Sequence, residues 1–238
     1  MDALKVDLHL HTADDPLDNI AHEGTALVDR AAELGFDALA VTLHDRQLAN
    51  PSLGDYARDR GILLLPGVER TIGGRHIVLI NFPQAAEDAA SFEDIARLKA
   101  KCGGLVIAPH PFYPGRSCLG TELDALSGLV DAVEWSYFWT RATNFNARAE
   151  RWARRHGKPV VGNSDLHDLR QLGRTYSWIF AERDADSICA AVREGRVSLR
   201  TRPVPVAELA QVFGGMVLRG YRPKSPRPVP LTHQPQVP

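Results

Sequence analysis

Residues 5–12 read KVDLHLHT, a short apolar strand ending in two histidines, His9 and His11, spaced two apart. Side chains alternate along a strand, so both imidazoles leave one face and can grip a single ion together. The same device recurs outward from this stretch. DALAVTLHD (37–45) carries His44, ILLLPGVE (62–69) ends in Glu69, GLVIAPH (104–110) ends in His110, and PVVGNSDLH (159–167) ends in Asp165 and His167. HIVLINF (76–82), DAVEW (131–135) and WIFA (178–181) also read as strands. Between the runs lie helical patterns over 24–34, 91–102, 142–156 and 186–194, each followed by a glycine suited to ending a helix. Near-continuous apolar strands have both faces dry, as in a parallel sheet covered by helices, and strand followed by helix repeated this many times at this length predicts an α/β barrel, with a two-domain open sheet as the runner-up. In a barrel the strand ends meet on one face, which is where active sites are built.

The chain of 238 residues is long enough for one large domain, expected over 1–218 and followed by a proline-rich basic tail over 219–238. Its 28 basic and 29 acidic side chains leave a net charge of -1, so no global field draws it to nucleic acid or an anionic membrane. No apolar run approaches the roughly 20 residues a bilayer requires, and the N-terminus lacks the pattern of a secretory signal. Three scattered cysteines give no disulfide framework, and the expected location is the cytoplasm.

Each strand-end histidine or acid has an ordinary reading by itself, as a loop or capping residue. All of them together, on strands of one barrel, point to an open metal site of catalytic type, built from ligands suited to zinc, manganese or iron. VDLHLHT, GFDALAVTLHD, PGVE, APHP and NSDLH resemble, in order and spacing, the motifs of the PHP family, named for domains of bacterial DNA polymerases and for a histidinol phosphatase. The resemblance covers roughly residues 5–170. It implies a distorted (β/α)7 barrel with two or three divalent ions and hydrolysis of phosphoesters.

Position by position, the resemblance implies one metal held by His9, His11, Glu69 and Asp165. A second falls to Glu69, His76 and His110, with Glu69 bridging. A third falls to His44, His167 and an acid of HTADDPLDN (11–19), with Asp15 ahead of Asp14. Leu43 stands where the family usually has aspartate, which predicts a loosened neighbouring imidazole and a weaker third site. Glu69, His110 and His167 are the expected catalytic groups. Arg46, Arg70 and Arg116 follow these motifs and are the expected contacts to substrate phosphate. Glu134 is open between packing and substrate contact, and WSYFW (135–139) between core and base stacking. The expected substrate is a small phosphorylated metabolite, nucleotide or short oligonucleotide, with no membrane and no long duplex nucleic acid. The alternatives are an inactive metal-binding PHP module that serves regulation, and an amidohydrolase. The latter usually bridges its metals through a modified lysine, and no lysine here ends a core strand.

Overall fold

A computed structural model describes residues 2–220. Seven strands form the wall: β1 (Asp2–Leu10), β2 (Ala38–Val41), β3 (Leu63–Ile72), β4 (Arg75–Ile80), β5 (Leu105–Ala108), β6 (Ala132–Ser136) and β7 (Val160–Asn163). Around them run α1 (Gly24–Glu33), α2 (Pro51–Asp59), α3 (Phe92–Cys102) and α4 (Asn146–His156). The chain continues through β8 (Tyr176–Ala181), α5 (Ala185–Arg193), β9 (Val197–Arg200) and α6 (Val206–Arg219). The expected tail lies, except for Arg219 and Gly220, outside the described residues.

The nine strands make one sheet in the order β7-β6-β5-β4-β3-β2-β1-β8-β9, curled into a nearly closed barrel. The pairs β1–β2, β2–β3, β5–β6 and β6–β7 are parallel, as the alternating pattern predicts. Two features depart from it. β3 turns directly into β4 as an antiparallel hairpin, with Gly73 and Gly74 both at positive φ (57° and 81°), the two-residue turn whose twist suits a hairpin. Glu69 therefore lies within β3 rather than at its end. Antiparallel β8 and β9 continue the sheet beyond β1. They pass close to β7, where Gly162 leaves room: a Cβ there would meet the Tyr176 carbonyl oxygen at 2.7 Å. At the mouth the barrel is drawn together by the bond from His11 N–H to the Leu166 carbonyl (3.1 Å).

The barrel interior is filled by Leu4, Val6 and Leu8 of β1, Ala38 and Ala40 of β2, Val78 and Ile80 of β4 and Leu105 and Ile107 of β5, and Ile188, Cys189, Ala191 and Val192 of α5 pack into the same cluster. One outer cluster gathers Ile95, Ala149 and Trp152 from α3 and α4, and another Leu27, Val28 and Leu53 from α1 and α2. Val6 and Leu8 belong to the interior but Leu10 belongs to the α1–α2 side. The β1–β2 register shifts between Asp7 and Leu10 at the same place. Such an irregularity re-aims side chains, and it turns His9 and His11 into the mouth.

Candidate metal centre

The structure brings His9, His11, Asp15, His44, Glu69, Asp165 and His167, all buried, and the partly exposed His76 and His110 into one cluster at the barrel mouth, linked by the contacts given below. β1 supplies His9, and His11 follows it. An isolated parallel bridge of His44 to Glu69 keeps the β2–β3 register three residues beyond its last pair, Val41 with Pro66, and sets these two side by side. His76 is the second residue of β4, whose antiparallel course puts its start at the end where the parallel strands finish. His110 and Asp165 follow β5 and β7 with left-handed backbones (φ 30° and 47°), a conformation uncommon outside glycine and held in place by its surroundings.

Glu69 is the hub, 1% exposed. Its Oε2 faces Nε2 of His9, His11 and His44 at 3.3, 3.4 and 3.3 Å, and Asp165 Oδ1 lies 3.5 Å from His9 Nε2. Its Oε1 faces His76 Nδ1 at 2.8 Å and His110 Nε2 at 3.4 Å. Although Glu69 Oε1 and His76 Nδ1 are so close, their alignment does not make a hydrogen bond, and both are buried without one. Orphaned buried lone pairs are costly, and a shared cation would satisfy them. The groups His9–His11–Glu69, His44–Glu69–His76, His11–Asp165–His167 and His11–Asp15–His44 each have donor atoms close enough to hold an ion. The donor set around Glu69 thus fits a metal ion.

The far nitrogens are fixed by other partners. His9 Nδ1 meets Glu134 Oε2 at 2.8 Å, and Glu134 also accepts from Asn163 Nδ2 and the His110 N–H. Glu134, open in the sequence, is therefore a buried support for His9. His110 Nδ1 contacts Cys118 Sγ at 3.3 Å, and His167 Nδ1 contacts the Asp165 carbonyl at 2.9 Å. His167 Nε2 meets Asp18 Oδ2 at 2.8 Å. Asp18 was missed by the sequence reading, although it stands in the acidic loop that supplies Asp15. Leu43 packs in the apolar α1–α2 cluster, yet His44 is not loosened: both its backbone N–H and its Nδ1 lie 3.0 Å from Asp15 Oδ2.

Burial would raise the Glu69 carboxyl, but His76, His9 and His44 hold it well below the usual carboxylate range. Asp165 is lowered in the same way against its burial, by His9, His11 and His167. Burial would lower His9, and Glu69, Asp165 and Glu134 instead raise it to about 10. His11 and His110 are also raised well above the ordinary imidazole value against their burial, with hydrogen bonds to Asp15 and Cys118 respectively the leading opposing causes. Asp7, wholly buried beneath the cluster, is pushed up to about 7 by desolvation, opposed by the Ser164 and His9 N–H groups. So many carboxylates in a dry mouth require matching positive charge, supplied by imidazole protons or by cations that displace them.

The arginines are placed differently. Arg70 is buried, with Nη1 2.6 Å from Asp45 and Nη2 2.7 Å from the Ala89 carbonyl, so its guanidinium is committed to those partners. Alternation along β3 also puts it on the face opposite Glu69. Arg46 is exposed and donates to the Asp14 carbonyl. Arg116 is exposed on the loop after His110. A cavity of about 350 Å³ opens beside His167 and Asp18, lined also by Ile20, Phe213, Met216 and Arg219. In WSYFW, Tyr137 donates to Glu208, Trp139 to Thr201, and Phe138 packs on Phe213, so the cluster anchors the segment carrying α6.

Residues 143–197 match the PHP-associated family, PHP_C. Among curated proteins none matches the sequence. Among solved structures, the fold is similar to a two-domain protein from Bacteroides vulgatus containing a predicted PHP-like metal-dependent phosphoesterase. That pair is 23% identical, with TM-score 0.66, over 90% of this chain and 70% of the other. It is also similar to an amidohydrolase from Chromobacterium violaceum with bound sulfate and no metal (21% identity, TM-score 0.59, 85% of this chain and 99% of the other). A third is the lesion-specific endonuclease Q from Pyrococcus furiosus (19% identity, TM-score 0.57, 83% of this chain and 58% of the other). The PHP_C match is confined to residues 143–197, and what the chain shares with these solved structures is the fold.

Proposed function

We propose that the protein is a metal-dependent phosphoesterase acting on a small phosphorylated substrate. The observation that carries this reading is Glu69, whose two oxygens face separate sets of imidazoles while one oxygen lacks any hydrogen bond. His9, His11, Asp165 and Glu69 Oε2 would hold one divalent ion, and Glu69 Oε1, His76 and His110 a second. When bound, a pair of such ions supplies charge to phosphate oxygens and lowers the pKa of an attacking water.

The chain's own residues do the rest. Glu134 and Cys118 fix the orientation of His9 and His110. His167 Nε2 lies 2.8 Å from Asp18 Oδ2 at the cavity wall, and from there Nε2 would serve as the proton donor to a departing alkoxide. Arg116 and Arg46, at the exposed rim, would meet the outer phosphate oxygens, whereas Arg70 acts through Asp45 by holding the loop after His44. The hub is a carboxylate of β3 rather than a lysine, which favours phosphoester hydrolysis over amidohydrolase chemistry. Nucleic acid is the second reading. It is favoured by the exposed Arg148, Arg151 and Arg155 of α4 around a depression of about 250 Å³, and by the fold shared with endonuclease Q.

The test is metal content together with turnover of a panel of phosphomonoesters, small diesters and short oligonucleotides, in the native chain, Glu69→Gln and His110→Ala. Two or more ions per chain and turnover lowered at least about 10³-fold in both variants are expected, the scale typical of lost electrostatic catalysis. A native chain that binds metal but turns over nothing would favour the regulatory module. Preferential cleavage of oligonucleotides would favour the second reading.

A further inference from the structure

Asp15 is fully buried and its carboxylate is crowded with donors. Oδ2 lies 2.9 Å from His11 Nδ1, 3.0 Å from His44 Nδ1 and accepts the His44 backbone N–H at 3.0 Å. Oδ1 accepts the N–H groups of Leu17 and Asp18, both at 2.8 Å. A carboxylate offers about four lone-pair sites, so a side chain facing this many donors has none left for a cation. Because both Nδ1 atoms turn toward Asp15, both Nε2 atoms project to Glu69 Oε2, at 3.4 and 3.3 Å. His44 thereby stands with the Glu69 cluster. The remaining member of the expected third set, His167, instead directs Nε2 to Asp18.

We infer that Asp15 is a positioning residue that aims His11 and His44 jointly at the metals around Glu69, and that it ligates no ion itself. The inference rests on the metal-binding reading above. It differs from the ligand role that the family resemblance implies for this position. It also explains how His44 keeps its orientation with Leu43 beside it.

Nitrogen-15 correlation spectra of the histidine rings in the zinc-loaded native protein, recorded beside metal titrations of Asp15→Asn and Asp15→Ala, test it. The expected spectra show metal on Nε2 and a proton on Nδ1 for both His11 and His44. In Asp15→Asn the number of bound ions is unchanged, while affinity falls about 10–100-fold, the usual consequence of losing an outer partner of a ligand. Coordination through Nδ1 of either ring, or loss of one bound equivalent with the others unweakened, would overturn the assignment. The native spectra need no variant to fold. Should the native protein bind no metal, the phosphoesterase reading fails. The metal-free spectra would still decide Asp15, since rings lacking a proton on Nδ1 contradict its role.

Discussion

At the scale of single residues the site is organised by what each imidazole does with its second nitrogen. His9 is held by Glu134, His11 and His44 by Asp15, and His110 by Cys118. Glu134→Gln retains the shape but weakens the acceptor for His9 Nδ1, so metal affinity should fall about 10–100-fold with the barrel intact, as read by calorimetric titration and circular dichroism. Away from the site, burial pushes the Cys189 thiol up to about 12. The folded chain keeps this thiol protonated where the unfolded chain ionises near its ordinary value of about 8.5. Stability from this group is therefore complete below that value and is lost as pH rises toward 12. At about pH 8 Cys189 should resist alkylation until the chain unfolds, whereas half-exposed Cys102 should react, as mass spectrometry of labelled peptides will show.

At the scale of elements, local signals and close packing each have a measurable part. Ser91 Oγ accepts the Asp94 N–H while Asp94 Oδ2 accepts the Ser91 N–H, a reciprocal cap at the start of α3. Ser91→Ala should cost about 1 kcal/mol in denaturant unfolding, and an unchanged midpoint would show the cap to be redundant. Gly162 is a matter of space rather than propensity. Its added Cβ would sit 2.7 Å from the Tyr176 carbonyl and 2.5 Å from Leu199, so Gly162→Ala should destabilise by about 1–3 kcal/mol. The flexible tip of Leu199 can yield, but the backbone of β8 cannot move without disturbing its pairing to β1.

At the scale of the molecule, the centre joins strands from both ends of the chain, since His9, Glu69, His110 and Asp165 sit on or just after four different strands. An ion bound only by the folded state stabilises it by mass action, about 2.7 kcal/mol at one hundred times its dissociation constant. For a domain of this size, that corresponds to a rise in Tm of about 5–10 °C. Chelation should reverse the rise, and a Tm indifferent to chelator would argue against metal in the folded core. Among the described residues no helix is long and apolar enough to cross a membrane.

The sequence by itself determined all the strands but β9 and most of the helices, because apolar runs, capping residues and terminal glycines are local signals. It also placed His9, His11, His44, His110, Asp165 and His167 at the mouth, since strand ends in a barrel converge, whereas His76 and Asp15 came only with the family resemblance. It missed α2, whose Asn50 cap and Pro51 were the available signal, and α6, whose Gly214 and Gly215 weaken the helical pattern. Short, half-buried β9 was missed because it carries little apolar periodicity. Only tertiary structure decided the roles within the cluster. Whether Asp15 faces a metal or two imidazoles, whether Glu134 packs or supports His9, and whether Arg70 meets substrate or Asp45 depend on atoms 25 or more positions apart in the chain for every pair except Asp15 with His11. Hydrogen-bond direction at those atoms is fixed by the register of β1, β2 and β3 and by the hairpin at Gly73 and Gly74, which no single stretch of sequence encodes.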